Sequence, residues 1–472
     1  MNCEFAMTSQ NFVNRVIPVC IAKAVTSWPE QERDEAGTDA EHFRDNRGTG
    51  AGQRRDNRDT RLAKSSDSAH FSQFVSNLSR LTRQITHCQF AKSTYQSLRA
   101  MKTLLATLTL SAALTMNAQQ YTVYVGTYTG PNASKGISQF GFDAKTGEVT
   151  SPVELAVETE SPSFLAVAPN GRFLYAVNES GTFAGKKQGA VTAFSINKTT
   201  HRLTPLNQQP SLGADPCHIS VDHEGKNVLI ANYTGGSIAV YPIAGDGGLK
   251  TNSCFIQHKG SSVNKDRQAE PHAHAIYLDN SGKRALVCDL GLDKVLVYNY
   301  DSAAGKLSEA GVGVLKPGSG PRHLALTRDG KRAYVINELA STLTSFNYDG
   351  NHHLTEIQSA STLPQPTPGN STAEVFIHPN GKFVYGSNRG HNSIAVFSTD
   401  ANGHFKLIQN ASVEGKTPRS FAIDPSGNFL IAANQDSNNI TFFKIDPATG
   451  KLTSTGKSIQ AFKPVCLIFQ PK

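Results

Sequence analysis

The sequence predicts an all-β chain: a seven-bladed β-propeller whose blades are four-stranded antiparallel sheets. Three observations predict it. A hairpin recurs at roughly fifty residues, the period of propeller blades. An apolar third strand with a common motif follows in seven places. The last Pro-led strand has no partner after it, and its missing partner stands at the start of the repeating region.

The hairpin is a Pro-led apolar strand, an Asn-Gly, Asp-Gly or Ser-Gly turn, and a second apolar strand ending in Asn or Asp. Clear copies run Pro162 to Asn178, Pro216 to Asn232, Pro271 to Asp289, Pro321 to Asn337 and Pro418 to Asn434. A sixth, Thr372 to Asn388, puts Thr where Pro is expected. The third strands begin at Gly136, Ala190, Ser237, Lys294, Thr342, Ser393 and Asn439, each reaching a Phe or Tyr four residues on. Turns such as Asp143 to Gly147, Asp301 to Gly305 and Asp446 to Gly450 lead into outer strands. Pro464 to Phe469 lacks a second strand, and Tyr121 to Thr127 matches one; pairing the two closes the ring and leaves no open sheet edge.

Residues 1–100 contrast with this body. They are Arg-rich, carry no repeat and hold a polar stretch from Thr38 to Ser68, so they are expected to be a disordered extension or to lie upstream of the true start. Residues 101–118, from Met101 through Lys102 and an apolar run to Ala118, have the layout of a signal peptide, with an apolar core of about ten residues. The propeller then spans 119–472. Use of that leader implies a periplasmic or secreted protein with no membrane anchor in the mature form; without it the protein is cytoplasmic.

The formal net charge is +8 over 472 residues, without the clustered basic stripe that nucleic acid requires. Cys3, Cys20 and Cys88 fall in the extension, and Cys217, Cys254, Cys288 and Cys466 in the body, at spacings that fit no metal pattern. Cys217, Cys288 and Cys466 occupy strand positions and read as small buried thiols. The single Trp, Trp28, is in the extension, so the Trp-Asp dipeptide of WD40 blades is absent.

In a propeller the start of each first strand and the end of each second strand share one rim of the central channel. Strand-one starts supply His218, then Glu270, His272 and His274, then Arg322 and His323, Glu374 and Arg419. Strand-two exits supply Glu179, Asp289, Asn337 with Glu338, Asn388 with Arg389, and Asn434 with Gln435. Such variation on a repeated scaffold builds one asymmetric site. The recurring Asn at strand-two ends reads as local backbone bonding, with Asn337 and Asn388 the exceptions to watch. His272 and His274, alternating on one strand face near Glu270, have two metal-type ligands but no dependable third, so no metal is expected.

From about Tyr121 onward the chain resembles the lactonase family of seven-bladed propellers, which includes 6-phosphogluconolactonases and 3-carboxy-cis,cis-muconate lactonizing enzymes. The motifs are Glu270-Pro-His-Ala-His274, Gly320-Pro-Arg-His323, Ile336-Asn-Glu338, Ser387-Asn-Arg389 and Thr417-Pro-Arg419, and their order around the blades carries the likeness. The resemblance implies a catalytic set of His274, Arg322, Glu338 and Arg389. His218, Glu270, His272, His323, Asn337, Glu374, Asn388 and Arg419 would then bind substrate. It further implies a small-molecule lactone substrate, 6-phosphogluconolactone being the family's usual one, with no cofactor, no nucleic acid and a monomeric protein.

The residue chemistry is compatible with that reading. Lactone hydrolysis needs an activated water, a stabilised oxyanion and a proton for the leaving oxygen. Glu338 or His274 suits proton transfer; Arg322 and Arg389 suit the oxyanion or an anionic group on the substrate. Two alternatives stand beside it. The same residues serve a muconate-type cycloisomerase, and Ala333 to Asn337 resembles the Tyr-Val-Thr-Asn-like repeats of surface-binding propellers.

Overall fold

The computed structural model describes residues 120–131 and 133–472. The expected extension (1–100) and leader (101–118) lie outside the described residues. Within them, 28 strands form seven four-stranded sheets. Blades 1–6 occupy residues 164–210, 216–257, 273–314, 321–361, 371–412 and 418–460, and blade 7 joins 464–471 to 120–158.

The ring closes as expected. Strand Pro464–Pro471 pairs antiparallel with Gln120–Thr127, in a register that sets Val123 against Phe469 and Tyr124 against Ile468. All seven third strands begin at the residues their motif marks, from Gly136 to Asn439. The Asp-to-Gly turns form by a common device. Asp143, Asp301 and Asp446 each accept, through Oδ1, the backbone N–H two residues on, at 2.8, 3.0 and 2.8 Å. Gly147 and Gly450 then take φ of 73° and 71°, which a side chain would resist.

Burial follows strand position. The second strands Phe173–Asn178, Asn227–Asn232 and Phe429–Asn434 are buried at every residue, because blades stack on both of their faces. The aromatic ends of the third strands, Phe140, Phe194, Tyr241, Tyr298, Phe346, Phe397 and Phe443, are all buried, and most join the apolar clusters that pack blade on blade. Truncating one of them, Phe397 for example, should cost about 3–5 kcal/mol. Cys217, Cys288 and Cys466 are buried free thiols.

One recurring irregularity positions the site. The first strands carry a bulge near their start, between Pro216 and His218, Ala273 and Ala275, Pro321 and His323, Thr372 and Val375, and Pro418 and Ser420. Cys217, His274, Arg322 and Arg419 are therefore extra residues without a ladder partner. A bulge bends its strand and re-aims the side chain it adds. It also corrects an expectation. The third blade's first strand starts at Ala273, so His272 and Glu270 lie in the preceding loop and do not alternate with His274 on one strand face.

Candidate active site

The bulges bring His274, Arg322 and Arg419 together with Glu338 and Arg389, which leave the second strands of blades 4 and 5. Glu338 is the centre of this group. Its Oε1 accepts from Arg267 Nη2 at 2.7 Å, and its Oε2 lies 2.9 Å from Arg389 Nη2 and 3.2 Å from Arg322 Nε. Burial alone would raise its pKa; Arg389, Arg322 and Arg267 outweigh that and hold it at about 2.

The two buried guanidiniums are fixed from behind by carbonyls. Arg322 Nη1 donates to Ala373 O at 2.6 Å and Arg389 Nη2 to Thr372 O at 2.7 Å. Burial lowers Arg389 to about 10, with Glu338 opposing the drop, so it remains a cation at neutral pH. Arg419 is held differently. It lies 5.3 Å over the Tyr128 ring and 3.8 Å from Glu179, whose Oε1 accepts from the Tyr128 hydroxyl at 2.7 Å. Four arginines face two carboxylates here.

Beneath the arginines lies a layer of the buried His218, His323 and Glu374, with the partly buried Phe164 beside them. His323 Nδ1 and Glu374 Oε1 are 2.8 Å apart, and Val375 N–H donates to the same oxygen. Burial raises Glu374 to about 8, Arg322 partly offsetting it, while burial and Arg322 push His323 well below the usual histidine range. Both partners are thus neutral near pH 7. The His218 ring lies 4.4 Å from Phe164 and 5.4 Å from His323, and His323 lies 5.2 Å from His274. Further along the same strands opens an apolar cavity of about 460 Å³ that includes Ala166, Tyr277, Leu324 and Phe376.

His274 differs from its neighbours. Burial, Arg322 and His323 keep it neutral, well below the usual range. Its Nδ1 is 3.7 Å from Cys217 Sγ, and its Nε2 has no hydrogen-bond partner among the described residues. A neutral imidazole beside guanidiniums can accept a proton without first losing one. Glu338, clamped at about 2, is a weak base, and the geometry makes it the anchor of the arginines.

Several expected binding residues stand apart. Asn337 and Asn388 are fully buried inside their blades: Asn337 Nδ2 donates to Thr342 and Thr344 hydroxyls, and Asn388 bonds Thr362 and Ser393. Their amides are used where strands two and three meet. His272 stacks on Tyr233 at 4.6 Å, and Glu270 is exposed. His218, His323 and Glu374 lie under the cluster. Tyr233 and Tyr128 are absent from the strand-end inventory although each directly follows a second strand, as Glu338 does; Arg267 sits in a loop outside the repeat, and the length of segment 258–272 is the signal that points to it.

Residues 122–469 match the model of the lactonase family of seven-bladed β-propellers. A 6-phosphogluconolactonase of Bacillus subtilis is 35% identical over 74% of this chain and 98% of its own length. Another, from Formosa agariphila, is 36% identical over 70% and 94%. The structure of a periplasmic gluconolactonase of Pseudomonas aeruginosa superposes with a TM-score of 0.70 at 33% identity, covering 74% of this chain and 99% of that one. The chain belongs to the lactonase family of seven-bladed propellers. It is a lactone-hydrolysing enzyme, a carboxylic-ester hydrolase.

Proposed function

We propose that the protein hydrolyses 6-phosphogluconolactone to 6-phosphogluconate at the arginine-rich rim. The observation that carries this is the charge: Arg267, Arg322, Arg389 and Arg419 surround Glu338 and Glu179, a net positive pocket suited to an anionic sugar lactone. The names of the Bacillus and Formosa relatives support the substrate.

The chemistry follows from the side chains. Arg322 and Arg389 receive the lactone carbonyl, and their positive charge stabilises the oxyanion as it forms. His274 Nε2 takes a proton from a water whose oxygen adds to the carbonyl carbon. The tetrahedral adduct collapses, the ring carbon–oxygen bond breaks, and the leaving oxygen takes the proton back from His274. Glu338 reacts with nothing; it holds three guanidiniums in one place against their mutual repulsion.

A second reading takes an unphosphorylated aldonolactone as substrate in an exported protein. The leader-like residues 101–118 and the likeness to the Pseudomonas periplasmic gluconolactonase favour it. The two are separated by kcat/KM on 6-phosphogluconolactone and on glucono-1,5-lactone, each measured above its spontaneous hydrolysis. A preference for the phosphorylated lactone supports the first; equal or reversed rates favour the second.

A further inference from the structure

The segments that join neighbouring blades span three to nine residues, except 258–272, which spans fifteen. A loop of that length in a compact domain generally has work to do. This one is tied down along its course. His258 Nδ1 lies 2.6 Å from Asp289 Oδ2 while Tyr298 O–H reaches its Nε2 at 3.1 Å. Ser262 Oγ donates to Asp293 Oδ2 at 2.6 Å, and the buried Gln268 Nε2 donates to Leu290 O at 2.8 Å. The residue so placed is Arg267.

Arg267 uses one nitrogen for both its protein bonds: Nη2 donates to Tyr233 Oη at 2.9 Å and to Glu338 Oε1 at 2.7 Å. Its Nε and Nη1 make no bond to the described residues. Its side chain is 42% exposed, against 4% for Arg322 and 13% for Arg389. Of the three cations on Glu338 it is the one at the mouth, with donors to spare. Guanidinium donors of this kind match the oxygens of a phosphate.

Resting on the reading of the site as a lactonase rim, we infer that Arg267 is the specificity-determining residue for the distal phosphate of a phosphorylated aldonolactone. In such a substrate the ester carbonyl and the phosphate stand at opposite ends. The carbonyl requires the buried Arg322 and Arg389, which leaves the dianionic, strongly hydrated end at the mouth beside Arg267. Tyr233 and the anchored loop hold the guanidinium there before substrate arrives, which lowers the ordering cost of binding.

Calorimetric titration of the full chain with 6-phosphogluconate and with gluconate tests this without turnover. The wild type binds the phosphorylated acid more tightly, and Arg267→Ala removes that preference by roughly ten- to hundredfold, the range for a lost charged hydrogen bond. Arg267→Gln, which keeps the side-chain bulk, gives the same result if Arg267→Ala does not fold. Absence of a phosphate preference in the wild type, or a preference that survives in a folded variant, overturns the inference. A protein that hydrolyses neither lactone but keeps an Arg267-dependent phosphate preference contradicts the proposed reaction and leaves this assignment standing.

Discussion

Arg389 Nη2 lies 2.9 Å from Glu338 Oε2, although the two residues leave the second strands of different blades, the fifth and the fourth. The charge cluster therefore belongs to the ring and to no single blade. Each repeat contributes one or two side chains: blade 4 supplies both Arg322 and Glu338, and blade 5 adds Arg389.

Removing that carboxylate should be costly. Glu338→Ala leaves buried guanidiniums unpaired, an expected loss of about 3–5 kcal/mol, read as a lower midpoint in denaturant. Its pH signature is also defined. Glu338 titrates near 4.5 when unfolded and about 2 when folded. A folded value below the unfolded one stabilises above the unfolded value, and that stability is lost as pH falls from about 4.5 toward 2. Glu338→Gln should flatten this part of the stability profile; an unchanged acid limb would contradict the clamp.

Glu374 has the opposite sign. Its folded value of about 8 lies above the unfolded 4.5. The stability it contributes in its neutral form is present at low pH and lost as pH rises from about 4.5 through 8. Glu374→Gln, neutral throughout, should gain on the wild type between pH 5 and pH 8 in paired thermal melts. A constant difference would place a charged carboxylate in the layer.

His274→Ala should lower kcat by roughly two to four powers of ten, the usual worth of a general base, with the melting temperature little changed. Because burial and Arg322 hold His274 neutral below the ordinary histidine range, the wild-type rate should stay flat down through pH 6.5. A rate that halves near that pH would show an ordinary, solvated imidazole at work.

Much of the architecture was legible because it repeats. The third-strand motif recurs seven times and the hairpin with its turn six, so errors in one blade are corrected by the others. The split seventh blade was legible for the same reason, as Tyr121 to Thr127 matches a second strand. The site was only partly legible. His274, Arg322, Glu338 and Arg389 stand at strand ends and could be counted off, but Asn337 and Asn388, one residue before Glu338 and Arg389, turn inward. The first-strand bulges that free His274 and Arg322 depend on a count of two residues against one across a ladder, which a hydrophobic pattern does not record. Arg267 reaches Glu338 across 71 residues from a loop outside the repeat.

Asn388→Ala tests the inward reading. It strips Thr362 Oγ1 of its 2.7 Å acceptor inside the blade. The Thr362 hydroxyl keeps Ser341 O at 3.0 Å, but the bonds of Asn388 to Thr362 and to Ser393 Oγ are lost together, which should cost about 1–3 kcal/mol of stability, with KM nearly unchanged. A large rise in KM in a stable variant would return Asn388 to the substrate site.

The most direct test of the account is hydrolysis of 6-phosphogluconolactone above its spontaneous rate by the wild type and by Arg389→Ala. The wild type should show clear catalysis, and the variant a fall in kcat of roughly two to three powers of ten, as for a lost oxyanion donor. Equal turnover by a folded Arg389→Ala protein would remove the rim arginines from the chemistry and contradict the site proposed here.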